Sequence, residues 1–176
     1  MRAAITDANI FIDLFDVDLL EDFFRLPYKV HTTQFVLDEL SEDCCLIVEA
    51  NCSISQVGSK DKTEIDSLEW SSGFSFPDKT ILYIAKRDGM IVFSGEKKMM
   101  KWCSSNNLES HGVLFVLQQF IDAEIRSPKD VARKLLNLLS LNQWLPTETS
   151  MTLIEKWNNI SSVSYTHLTL PTICSV

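Results

Sequence analysis

The sequence predicts an α/β protein, with a three-layer α/β/α arrangement around a central parallel sheet of about five strands. Short apolar segments alternate with segments of helical period from the N-terminus onwards, which is typical of parallel strands joined by crossover helices. The composition, 45% hydrophobic and 23% charged, is that of a globular protein. With 176 residues, the chain is long enough for one domain with a buried core.

The first elements follow from apolar spacing and chain breakers. An apolar strand is predicted at 2–6 and a helix at 9–15. The next helix, at 18–26, carries Leu and Phe at helical spacing and ends at Pro27. A second strand at 28–32 is rich in β-branched and aromatic residues.

The later elements are bounded by caps and glycines. Two further strands are predicted at 53–57 and 90–94. In the helix at 60–70, we expect Leu68 and Trp70 to face the core with Ile65. The helices are predicted at 34–50, 60–70, 78–87, 96–105, 113–125, 128–144 and 147–159.

The C-terminal segment breaks this pattern. Residues 161–176 lack a helical period and are rich in Thr and Ser, so we interpret them as a non-native or disordered tail. The folded domain is therefore assigned to residues 1–160.

The charge and the cysteines limit the function classes. The net charge is −8, whereas proteins that bind nucleic acid through phosphates alone usually have a basic surface. Nucleic acid stays possible if the acids cluster at one site and cations neutralise them. Five cysteines, an odd number, favour the reducing cytoplasm. No segment reaches the roughly 20 apolar residues of a membrane helix, so we expect no membrane contact.

Four acids fall where the predicted strands end. Asp7 directly follows the first strand, Asp78 begins a helix, and Glu96 comes two residues after the strand at 90–94. Glu39 lies near the middle of the helix after the second strand. Ligands of open parallel sheets bind beyond the carboxyl ends of the strands, so we expect these acids to converge. Carboxylates that repel one another are neutralised by Mg²⁺ or Mn²⁺, and such a site can hydrolyse phosphodiesters.

Each acid also has an ordinary structural explanation. Asp78 and Glu96 both lie in the first turn of a helix, where the macrodipole alone favours acids. Asp7 could be a turn residue and Glu39 part of a solvated face. A phosphatase of the haloacid-dehalogenase type would need a second Asp two residues after Asp7, where this chain has Asn9.

The order of the motifs resembles PIN-domain nucleases over roughly residues 2–158. "ITDANIFIDLF" resembles their first motif, an acid and an Asn after strand one, and "TTQFVLDELSE" resembles the second, a helix with an inward Glu. "FPDKTILYIAKRDGMIVFSGEKKMMKWC" is similar to the third and fourth motifs together. "LESHGVLFVLQQFIDAEI" is similar to the segment that follows, where a short last strand leads through Gly into a helix.

The resemblance implies a Mg²⁺- or Mn²⁺-dependent endoribonuclease that hydrolyses single-stranded RNA and that also accepts structured RNA as a partner. Many members resemble VapC toxins, which form dimers and pair with a small antitoxin whose tail blocks the site. The resemblance implies catalysis and metal binding by Asp7, Glu39, Asp78 and Glu96. It further implies that Asn9 and Ser94 support the site, and that Lys97, Lys98 and Lys101 bind RNA phosphates.

One departure from the family pattern keeps a second function open. The fourth acid is usually Asp, whereas this chain has Glu96, which is one methylene longer. The alternative is a PIN-like fold that does not cut and instead binds RNA or protein as a scaffold.

Overall fold

The computed structural model describes residues 1–70 and 73–163, and for 161–163 the backbone alone. The five described strands are β1 Arg2–Thr6, β2 Tyr28–Thr33, β3 Ser53–Ser55, β4 Ile91–Phe93 and β5 Ser110–His111. The described helices are α1 Ala8–Asp16, α2 Leu20–Phe23, α3 Gln34–Leu37, α4 Glu42–Asn51, α5 Ser59–Ser67, α6 Phe76–Asp88, α7 Lys97–Ser105, α8 Val113–Asp122, α9 Pro128–Leu141 and α10 Thr147–Val163.

The strands form one parallel sheet in the order β3-β2-β1-β4-β5. The chain moves from β1 outward to β3, returns to β4 beside β1, and then moves outward in the other direction. Right-handed crossovers therefore place α1, α2 and α4 on one face, and α6 and α7 on the other. Accordingly, α1 packs against α2 and α4, whereas α6 packs on β1, β2, β4 and α7. The predicted fold class is confirmed.

The centre of the sheet is the most apolar part of the molecule. Phe93 of β4 is fully buried and makes edge contacts with Phe23 and Tyr28. Ile5 of β1 and Phe11 of α1 are also fully buried. These contacts fix β1 and β4 next to each other, and the residues after both strands share one edge.

The chain divides into two compact units. The first, 1–119, contains the whole sheet. In the second, which begins at residue 120, α9 packs against α10, and residues 142–146 join the two helices. No helix in the described ranges is long and apolar enough to cross a membrane.

Three predicted helices are wrong in detail. The helix at 34–50 is two helices, because Ser41 caps α4 by accepting a hydrogen bond from the Cys44 amide at 3.4 Å. The helix at 18–26 shrinks to the single turn of α2. In α5, Ile65 is buried as expected, whereas Leu68 follows the helix and is 45% exposed.

The last helix ends later than the sequence predicts. Helix α10 continues to Val163, past the predicted end at 159. Of the predicted tail, residues 164–176 lie outside the described part of the chain.

We predict that Gly89→Ala lowers the free energy of unfolding by about 1 kcal/mol, because residue 89 ends α6 in the left-handed region at φ 67°. Urea unfolding followed by circular dichroism measures the change. Gly95→Ala is the matched control, since Gly95 has no positive φ and open space around the added Cβ. Equal losses in both variants would contradict this explanation.

Candidate active site

The candidate site lies where the chain connections diverge, beyond the carboxyl ends of β1 and β4. Helix connections leave these neighbouring strands in opposite directions, which opens a crevice at the edge of the sheet. The two strand ends are joined by a hydrogen bond in which the Asp7 amide donates to the Phe93 carbonyl at 3.2 Å. Asp7 and Ser94, the residues that follow these strands, therefore face each other.

The Asp7 carboxylate is buried and held from two sides. It caps α1, with Oδ1 accepting from the Ile10 amide at 3.1 Å. Its Oδ2 accepts from the Ser94 hydroxyl at 2.5 Å. Only 4% of Asp7 is exposed. Both oxygens are therefore fixed in orientation at the start of a helix.

Burial raises the pKa of Asp7 to about 7. The hydrogen bonds from Ser94 and Ile10 lower it in part, while the charges of Glu96 and Asp78 raise it further. Burial thus favours the protonated form of Asp7 over a wider pH range than in an exposed Asp. A positive charge in the crevice would favour the ionised form.

Ser94 connects Asp7 to the start of α7. Its hydroxyl oxygen accepts from the Glu96 amide at 3.1 Å and lies 3.4 Å from the Met99 sulfur. The side chain is fully buried. Ser94 thus positions Asp7, and its hydroxyl is turned towards that carboxyl.

Asp78 and Glu96 face a common cation, the ammonium of Lys98. Lys98 Nζ lies 3.7 Å from Asp78 Oδ2 and 3.2 Å from Glu96 Oε2. It also donates to the Gly73 carbonyl. Glu96 Oε2 is buried and close to this ammonium, but the geometry of the contact is not that of a hydrogen bond. The lysine therefore stands between two acids of the predicted metal site.

Asp78 also has a structural function. In a capping box at the start of α6, Asp78 Oδ2 accepts from the Ser75 amide at 2.8 Å, and Ser75 Oγ accepts from the Asp78 amide at 3.2 Å. Asp78 thus caps α6 and is also available to the predicted metal site.

Glu39 lies in the turn between α3 and α4, so its predicted place in mid-helix is wrong. Although the residue is exposed, nearby atoms raise the pKa of its carboxyl by desolvation, and the charges of Asp78 and Glu96 add to this. Glu39 therefore belongs to the same electrostatic neighbourhood as Asp7.

The donor set suits a hard divalent cation, although the side chains do not enclose one. All four acids supply oxygen atoms, which Mg²⁺ and Mn²⁺ prefer, and Glu96 Oε2 is a buried oxygen without a hydrogen bond. Within 1–70 and 73–163, no three acidic, Cys or His side chains are close enough together to hold a metal ion as they stand. Where the acids approach one another, the Lys98 ammonium lies between two of them.

A family comparison gives the context of this site. A model of the PIN domain matches residues 3–159, which is most of the chain. The chain belongs to the PIN-domain family. No curated protein sequence matches it. The PIN-domain resemblance expected from the motifs is thus confirmed, while a VapC-like specificity stays a prediction.

The remaining predicted residues of this PIN domain lie at the surface, on the helices that follow β1 and β4. Asn9 is exposed in the first turn of α1, and no described residue hydrogen-bonds to its side chain. Lys97 and Lys101 are exposed on α7. These side chains can meet a ligand without breaking a contact shown by the structure, whereas Lys98 would have to leave its two acids.

Sequence reasoning missed a buried row of threonine hydroxyls under the crevice. Thr33 donates to Thr80 Oγ1 at 3.0 Å, and Thr80 donates to the Pro77 carbonyl at 2.7 Å. Thr32 donates to the Thr6 carbonyl at 3.0 Å. These bonds attach the first turn of α6, which carries Asp78, to the end of β2. Threonine is so common in strands that no pattern marked them.

We predict that Lys98→Met raises the affinity for Mn²⁺ about tenfold, because it removes an ammonium that competes with the metal for Asp78 and Glu96. Isothermal titration calorimetry measures the affinity. Lys97→Met is the matched control, since it removes the same charge from an exposed neighbouring position. Equal gains in both variants, or weaker binding by Lys98→Met, would refute competition.

We predict that Asp7→Asn changes the pH dependence of stability in the presence of EDTA. The folded state keeps the Asp7 proton up to about pH 7, while the unfolded chain releases it near the ordinary value of 3.8. This contribution to stability is therefore complete below pH 3.8 and is lost as the pH rises to about 7. The variant should gain on the wild type across this range, by about 1.4 kcal/mol per unit of pKa shift.

Urea unfolding at pH 5 and pH 8 measures this gain. Asp66→Asn, at an exposed acid of α5, controls for the loss of one charge. Parallel pH profiles of the wild type and Asp7→Asn would show that Asp7 does not hold a proton in the folded state.

Proposed function

We propose that this PIN domain is a metal-dependent endoribonuclease that hydrolyses phosphodiester bonds of single-stranded RNA. The observation that carries the proposal is the buried Asp7 at the switch point of the sheet, held by the Ser94 hydroxyl. The charges of Asp78 and Glu96 also act on its carboxyl. PIN domains are generally nucleases, and this chain carries the acids at the edge of the sheet where ligands bind.

Asp7, Asp78, Glu96 and Glu39 are the residues that would hold Mg²⁺ or Mn²⁺. A bound divalent ion supplies a Lewis acid for the phosphate and an ionised water at neutral pH. Asp7 contributes a carboxylate whose position is set by the Ser94 hydroxyl and the Ile10 amide before any ligand arrives. Glu96 would contribute Oε2, a buried oxygen that accepts no hydrogen bond from the described residues and lies beside the Lys98 ammonium.

Residues at the rim would position the RNA. Lys97 and Lys101 present exposed ammonium groups on α7, beside Glu96. They could neutralise the phosphates that flank the scissile bond, which the acidic crevice would otherwise repel. Asn9 at the exposed start of α1 can donate to a phosphate or ribose oxygen.

The proposal extends to the partners that the VapC resemblance implies. These are a small antitoxin whose tail blocks the acidic crevice, and a second copy of this chain in a homodimer. The cytoplasm is the proposed location, and the unpaired thiols of Cys44, Cys45, Cys52 and Cys103 suit its reducing conditions.

We predict that Asp7→Asn lowers Mn²⁺-dependent cleavage of a single-stranded RNA at least about 100-fold, since loss of a preorganised charged group at a catalytic centre has effects of this order. Gel analysis of a labelled oligonucleotide measures cleavage. We also expect Mn²⁺ to raise the Tm of the wild type by binding the folded state, and to do so less in the variant.

The control for this experiment is Asp66→Asn, which should cut like the wild type. Cleavage that survives in Asp7→Asn would point to a contaminating nuclease. If the wild type shows no Mn²⁺-dependent cleavage at all, the scaffold function replaces the nuclease.

A further inference from the structure

A second cavity lies on the sheet-containing unit, away from the Asp7 carboxyl. It has a volume of about 390 Å³ and is lined by the C-terminal half of α6, by α7 and by the segment after α5. Its walls include two indoles, two cations and an amide: Trp70, Trp102, Lys86, Arg87 and Asn106. A site of this size can take one nucleotide.

The two indoles form a rigid aromatic platform. Trp70 and Trp102 stack with ring centroids 5.4 Å apart and an interplanar angle of 23°. The Trp70 ring is held in place because its Nε1 donates to the Ile65 carbonyl at 2.8 Å. Both side chains are half-buried, so each keeps surface open towards the cavity. Exposed aromatic faces of this kind bind unpaired bases by stacking.

One cation beside the platform has no acid as a partner in the described ranges. Lys86 Nζ lies 5.8 Å from the centre of the Trp102 ring and donates to Asn106 Oδ1, a neutral group, at 3.0 Å. Arg87, in contrast, is paired with Asp61 and Asp88. The positive charge available to a ligand is therefore that of Lys86. An aromatic face with an uncompensated ammonium suits a base and its phosphate better than an apolar peptide.

A line of aromatic contacts leads from this cavity to the acidic crevice. Trp70 makes an edge contact with Phe74 at a centroid distance of 6.2 Å. The Lys98 ammonium lies 5.5 Å from the centre of the Phe74 ring and 3.2 Å from Glu96 Oε2. Trp70 and Phe74 lie on either side of residues 71–72 in the sequence, and the structure describes both side chains. One single-stranded ligand could therefore reach both places.

We propose that the cavity between Trp70 and Trp102 is an accessory subsite for a nucleotide of the RNA substrate. The base stacks on the exposed indole surface, and Lys86 contacts the adjacent phosphate. Glu69, which also borders the cavity, can accept a hydrogen bond from a base or ribose. The inference rests on the proposed nuclease function. The subsite would bind a nucleotide next to the scissile bond, while the acidic crevice holds the scissile bond itself.

The subsite would explain how a chain of net charge −8 binds RNA. Stacking depends on the π-face of the base and does not require a broad basic surface. The binding energy of a neighbouring nucleotide can therefore hold the backbone near acids that repel it.

The test uses binding in the Asp7→Asn background, so that no RNA is cut during the measurement. The probe is a fluorescein-labelled single-stranded oligoadenylate, and fluorescence anisotropy gives its Kd in EDTA. We expect Trp102→Leu and Lys86→Met each to weaken binding about tenfold, about 1.4 kcal/mol. Lys86→Met leaves both indoles in place, and thermal melting reports whether each variant is folded.

Two matched controls separate the subsite from general effects. Trp144→Leu removes an indole that is 85% exposed in the second unit, and Lys29→Met removes an exposed lysine of β2. Both should bind as the parent does. Quenching of tryptophan fluorescence by 5′-AMP, present in the parent and reduced in Trp102→Leu, would be the direct sign of stacking.

Several outcomes would overturn the proposal. Trp102→Leu or Lys86→Met variants that are folded and bind like their controls would show that the cavity takes no nucleotide. If Trp102→Leu changes self-association while RNA binding stays the same, the cavity is a protein contact. The two proposals fail separately. If Trp102→Leu and Lys86→Met lose RNA binding but the wild type never cuts RNA, the subsite is retained and the nuclease function is rejected.

Discussion

The structure of this PIN domain depends on one buried carboxyl group. Asp7 links four elements: it ends β1, caps α1, accepts the hydroxyl of Ser94 after β4, and through Ser94 contacts the start of α7. Burial of a charged carboxylate is unfavourable, and here the raised pKa of about 7 reflects that cost. The two donors, the Ser94 hydroxyl and the Ile10 amide, offset it in part. The group that fixes the local geometry is also the group best placed for chemistry.

The charge balance of the crevice follows from the same constraint. The chain itself provides a cation, Lys98, between Asp78 and Glu96, and the charges of these two acids add to the raised pKa of Asp7. Such an arrangement partly neutralises the like charges without a ligand. Under the proposed function, metal binding would exchange one cation for another. Asp78 combines this function with the capping of α6, so neither property excludes the other.

For the proposed action on RNA, a protein of net charge −8 would have to hold the substrate by something other than overall charge. The surface around the crevice offers a few exposed lysines on α7, and the aromatic line from Phe74 to Trp102 offers stacking. Base stacking and local phosphate contacts are short-ranged, so they operate even where the net field is repulsive. Under the two proposals, the acidic crevice would serve the chemistry and the cavity between Trp70 and Trp102 would hold a neighbouring nucleotide.

The sequence by itself determined the alternation of strands and helices, the family, and the acids that follow β1 and β4. These are local properties: apolar period, caps and the order of motifs can be seen within a few residues of each position. Only the tertiary structure decided that β4 lies beside β1, which brings Ser94 to Asp7 across 87 residues of chain. It also decided that Glu39 sits in a turn, that Lys98 points between two acids, and that Trp70 stacks on Trp102. Such contacts depend on strand order and side-chain direction, which arise from packing of the whole sheet and leave no local pattern in the sequence.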